Sequence, residues 1–139
     1  MAKVSLRIVR KSRHRAVLSE YKKNVTTYLV RAGNLVLNTA KTSIQSGNKS
    51  GVMRPSGTRS SAAGEPPQAD TGYLAQNIVL AIDSDGMGVG VESRAEYSVF
   101  LEFGTSKMAA RPFMFPALEQ NKKKIRRIAN EMIKANVNT

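Results

Sequence analysis

A chain of 139 residues with 41% apolar and 23% charged residues has the size and balance of one packed domain, which argues against a disordered chain and leaves no room for two cores. It contains no cysteine, which excludes a disulfide framework, a thiolate nucleophile and a cysteine zinc site. Its net charge is +12, and the signs are separated: residues 1–60 hold 13 Lys and Arg and the single acid Glu20, residues 61–121 hold 8 acids and 3 cations, and residues 122–139 hold 6 cations and 1 acid. Basic ends around an acidic middle suit either a polyanionic partner or copies of the chain stacked plus to minus.

Along the chain, residues 3–9, KVSLRIV, alternate Val4, Leu6 and Ile8 with Lys3, Ser5 and Arg7. That period of two predicts a half-buried strand. RKSRHR at 10–15 reads as a solvated basic run. From Ser19, a candidate N-cap, apolar residues recur at 21, 25, 28/29, 32, 35/36, 40 and 44. This spacing predicts a helix over about 18–46, stopped by Gly47. The opening residues lack the apolar run of a signal peptide, and no run of about 18 apolar residues predicts a membrane span. The expectation is a soluble protein made in a cytoplasm.

Residues 46–72, SGNKSGVMRPSGTRSSAAGEPPQADTG, predict a long extended loop or hairpin arm carrying Lys49, Arg54 and Arg59. Two readings stand: a surface loop, or an arm that becomes ordered only against a partner. Asp70 or Thr71 is placed to cap a short helical turn running through Leu74. Residues 77–83 and 88–93 predict two strands joined by a turn at Asp85-Gly86. The glycines at 86, 88 and 90 do not make a nucleotide loop, because position 91 is Val and no helix opens after them. A short helix is expected over 95–103, with Tyr97, Phe100, Leu101 and Phe103 on one side and Gly104 as its stop. Pro116 suits the first turn of a last helix, about 116–135, with Leu118, Ile125, Ile128, Ala129, Met132 and Ile133 as its apolar stripe. The order predicts an α+β domain over 1–139: a small antiparallel sheet packed with two longer helices.

Chemistry-bearing constellations are few. His14 is the only histidine and sits in the basic run, with no acid or nucleophile beside it. Glu92, Glu96 and Glu102 do not share the face a carboxylate pair needs, and they read as exposed, salt-bridging glutamates. No phosphate loop, HExxH or nucleophile elbow occurs. The expectation is a protein that is not an enzyme and takes no cofactor or metal. The cations of the first 60 residues allow non-specific binding of nucleic acid, without a motif that reads sequence.

All 4 phenylalanines fall in residues 96–118, EYSVFLEFGTSKMAARPFMFPAL. With Tyr97, Glu102-Phe103-Gly104-Thr105, Arg111-Pro112-Phe113 and Pro116-Ala117-Leu118, this stretch resembles the tail-completion or head–tail joining proteins of long-tailed phages and prophages. Upstream, GEPPQADTGYL at 64–74 is similar to that family's Gly-x-x-Pro and Asp-Thr-Gly-x-Leu element. The resemblance covers residues 64–118, and the first 60 residues match only in general layout. It implies a structural virion protein of the neck: a homo-oligomeric ring, commonly six-fold, between the head's portal and adaptor and the tail tube or tail terminator. Non-specific contact with DNA in the channel is compatible with that place; a membrane is not.

Within this frame Tyr97, Phe100, Glu102, Phe103, Gly104, Thr105, Arg111, Pro112, Phe113 and Phe115 are the expected subunit-interface or core residues. Gly104 lets the short helix turn sharply, and Pro112 and Pro116 stiffen the entry to the last helix. Phe113 and Phe115 are expected to point alternately, one into the core and one toward a neighbour; the competing reading puts all 4 phenylalanines in the core. Arg111 is expected to pair with Glu102 of the same or an adjacent subunit. Lys49, Arg54 and Arg59 form the expected partner-facing or DNA-facing arm. The alternative function is a non-specific nucleic-acid-binding protein using its basic N-terminal half, with a small regulatory or toxin-like protein for an acidic protein partner as a third reading.

Overall fold

The computed structural model describes residues 14–46, 49–69 and 71–137. The strand expected at 3–9, the stop at Gly47 and the cap at Asp70 lie outside these residues. The elements are α1 (His14–Gln45), α2 (Tyr73–Gln76), β1 (Ile78–Ile82), β2 (Val89–Ser93), α3 (Ser98–Phe103) and α4 (Met114–Val137). The chain is α+β, as its pattern predicts: two long helices, a two-stranded antiparallel sheet and a short helix, packed together. No helix among the described residues is long and apolar enough to cross a membrane.

Helix α1 is the spine of the molecule. It starts earlier than the expected Ser19, because HRAVLSEYKK holds no glycine or proline and is rich in strong helix formers. Its first turns project past the packed body, leaving Val17, Leu18 and Tyr21 exposed. The hairpin lies on its middle, with Leu80 opposite Val91 in the β1–β2 register. Gly33 makes this close approach workable: a Cβ there would stand 2.5 Å from Leu80 Cδ1 and 2.7 Å from Val89 Cγ1. At the hairpin tip, the Thr26 hydroxyl donates to the Gly86 carbonyl at 2.6 Å.

Helix α4 packs antiparallel on α1: Asn121 meets Thr39 near one end, and Arg31 pairs with Glu131 near the other, at 2.9 Å. The buried face matches the expected stripe at Ile125, Ile128, Ala129 and Met132, which are buried or half-buried, and departs from it at the edges. Ala117, Asn121 and Ile128 are its buried residues, whereas Leu118 and Ile133 are exposed. The helix is rotated so that a polar residue, 4% exposed, lies in the seam. Asn121 Nδ2 donates to Thr39 Oγ1 and to the Ala117 carbonyl, each at 2.8 Å, so its burial leaves no unpaired amide hydrogen. Below the seam, Ile44, Ile78 and Phe113 are the largest fully buried side chains.

Residues 51–60 form a hydrogen-bonded hairpin, with Gly51 and Ser60 paired, Arg54 and Thr58 paired, and the turn at Pro55–Gly57. A hairpin arm is one of the two forms expected for residues 46–72. Glu65 holds the hairpin's base: its carboxylate accepts the Ser50 hydroxyl, the Ser50 amide at 3.0 Å and the Ala62 amide at 2.8 Å. In α2 no side chain supplies a full cap; Thr71 Oγ1 accepts only a long bond of 3.4 Å from the Tyr73 amide.

Candidate functional site

The segment from Ala95 to Phe115 folds into one braced unit. Ala95 and Ser98 are buried, and the Ser98 hydroxyl donates to the Ala95 carbonyl at 2.7 Å, which anchors the first turn of α3. Gly104 ends that helix with φ 77°, and its amide returns to the Phe100 carbonyl at 2.8 Å. A β-carbon at 104 would sit 2.8 Å from both the Ala110 nitrogen and the Met108 oxygen, so only glycine fits both the angle and the space. A tight turn follows, closed by Thr105 and Met108, and the Arg111 amide then donates to the Leu101 carbonyl at 2.6 Å.

Glu102 supplies the main brace. Its carboxylate accepts the amides of Phe113 at 2.9 Å, Met114 at 3.0 Å and Phe115 at 2.9 Å. The first amides of a helix have no partners within it, and their dipoles favour a negative charge. One helix thus caps the start of the next with a side chain from 11 to 13 residues upstream. This corrects the expected ion pair: within the chain Glu102 does not pair with Arg111. The Arg111 Nε is buried without a hydrogen-bond partner, and the side chain lines a cavity of about 190 Å³ beside Tyr73, Tyr97 and Arg54.

The brace fixes where the aromatic rings point. Phe113 is 1% exposed and fills the core, whereas Phe115 is 63% exposed, so the two take opposite sides. Phe103 is 79% and Phe100 55% exposed, and Tyr97 is also exposed, with its ring 6.2 Å from that of Tyr73. The reading that puts all 4 phenylalanines in the core is therefore overturned. The expected common side of α3 also divides: Ser98 and Leu101 turn inward, and the aromatic residues turn out. A helix of 6 residues with one face on the core can bury only about every third or fourth side chain. Val99, Phe103 and Phe115 border one shallow apolar depression between α3 and the start of α4. Pro112 is half-buried behind it, and Thr105 is exposed at its turn.

No family model, curated protein or solved structure matches this chain.

The arm cations are engaged within the chain. Lys49 Nζ donates to the Ser43 carbonyl at 2.7 Å, Arg54 reaches the Gln68 carbonyl at 3.4 Å, and Arg59 donates to the Gly51 carbonyl at 3.0 Å. They brace the hairpin, unlike Lys123, Lys124, Arg126 and Arg127 on the exposed side of α4. Of the expected glutamates, Glu92 lies 3.5 Å from Arg94 and is exposed, but Glu102 serves as a helix cap. Sequence reasoning missed Glu65 and Asn121. The signal for Asn121 was present, since it falls in line with Ala117, Ile125 and Ile128 at helical spacing. Glu65 gave none, because its partners are set by the fold of the loop.

Proposed function

We propose that this chain is a structural subunit of a homo-oligomeric ring that joins a phage head to its tail, with the outward face of α3 and the start of α4 as a subunit contact. The observation that carries this reading is the shared display of Val99, Phe103 and Phe115 on the surface around one depression. Contiguous exposed aromatic groups mark interaction sites, and such groups dominate interface energetics. Here they stand on the segment that resembles the neck proteins, held by the Glu102 cap and not by a mobile loop. A ring contact is head-to-tail and needs two unlike faces, which the separated charges of this chain supply.

Electron microscopy of lysates from a phage or prophage lacking this chain tests the reading. The expected result is DNA-filled heads beside separate, finished tails. Intact tailed particles would contradict it.

A further inference from the structure

Among the described residues β2 pairs only with β1, so its outer edge is open. Beside that edge, between β2 and α4, runs an apolar groove of about 400 Å³ with Leu29, Gly33 and Val36 as its floor and Val91, Phe115 and Ile125 on its walls. An open strand edge over an apolar groove is a template for one more strand. Its faces alternate: Val89 and Val91 turn inward, while Gly90 and Glu92 are exposed. Residues 3–9 carry the matching pattern, with Val4, Leu6 and Ile8 for the groove and Lys3 and Arg7 for the side of Glu92. The charges agree more widely. Residues 3–15 hold six cations and no acid, and the hairpin region exposes Asp83, Asp85, Glu92 and Glu96.

The tether decides whose segment it is. Gly33, which faces Val89, lies nineteen residues beyond His14, about 28 Å along α1 at the usual helical rise. Pairing residues 3–9 with Val89–Ser93 puts Val9 near the level of Gly88, still more than about 20 Å along the helix from His14. Five fully extended residues from Val9 to His14 span at most about 17 Å, and the sheet stands about 10 Å to the side. A chain's own segment falls short, whereas that of a neighbour is under no such limit.

We infer that the open edge of β2 receives residues 3–9 of a second copy of this chain as a third, antiparallel strand. The inference rests on the self-association proposed above and adds a second contact, which adjoins the Phe103 face through Val91 and Phe115. Exchange of a terminal strand links subunits without new chemistry and fits a closed ring.

The test uses the full chain carrying Leu6→Cys and Val91→Cys, whose thiols are the only two present. After mild oxidation at concentrations where the unaltered chain assembles, non-reducing electrophoresis should show a ladder of covalent dimers and larger species. An internally linked monomer, or no link at all, would overturn the inference. Amide exchange of the unaltered chain gives a second readout. Protection of residues 4–8 that rises with protein concentration supports it; protection that is absent or independent of concentration overturns it. A chain that assembles without the link sinks only this inference, while one that stays monomeric at every concentration also removes self-association in solution.

Discussion

Glu102 shows how one side chain can brace a whole segment. Removing its carboxylate frees three helix-start amides at once, so Glu102→Ala should lower stability by about 1–2 kcal/mol, the usual cost of a lost cap. Thermal unfolding followed by circular dichroism reads this directly, and an unchanged midpoint would contradict the cap. Phe113→Ala should cost about 3–5 kcal/mol, because the ring is fully buried and its cavity cannot collapse freely. Glu65 governs the hairpin arm in a pH-dependent way. Bonds from the Ser50 hydroxyl first, then from the Ala62 and Ser50 amides, pull its carboxyl from 4.5 down to about 2. A depressed folded value means the tether is complete above the ordinary value and is lost as pH falls through the folded one. The Ser50 and Ala62 amide resonances should therefore titrate with a midpoint near 2 and not near 4.5. These roles were only partly legible in the sequence. Phe113 and Phe115 at alternating positions could be read as pointing apart, but which ring is inside depends on the Glu102 cap. That cap joins residues 11 to 13 apart, a spacing no local periodicity marks.

The elements were more legible than the contacts between them. The hairpin, the short helix and the two long helices follow from periodicity and from turn residues at Asp85-Gly86 and Gly104, all local signals. The edges of the face that α4 buries, with Asn121 in and Leu118 and Ile133 out, do not follow, since they are set by its rotation on α1. Asn121 is the polar lock of that seam. Asn121→Ala should destabilise by about 1–3 kcal/mol, the cost of losing a buried hydrogen-bonded group and leaving the Thr39 hydroxyl to find another partner. Chemical denaturation measures it, with the slope unchanged and the midpoint lowered. The arm was legible as an alternative, a loop or a hairpin. Its order comes from Glu65 and from cations that bond to backbone carbonyls instead of pointing at a partner.

At the scale of the whole molecule, the chain keeps a modest core and leaves large aromatic side chains in water, held by hydrogen bonds. In the proposed ring, neighbouring subunits would complete that burial. The proposed neck ring rests on the resemblance at residues 64–118 and on the exposed, braced face. The most direct test is complementation of the lysate lacking this chain, with the unaltered protein or with Phe103→Ser, followed by electron microscopy. Phe103 is solvent-exposed, so the variant should fold with stability within about 0.5 kcal/mol of the parent. The unaltered chain should restore tailed particles, and the folded Phe103→Ser chain should leave heads and tails apart. Full restoration by Phe103→Ser would contradict the assignment of this face to ring assembly.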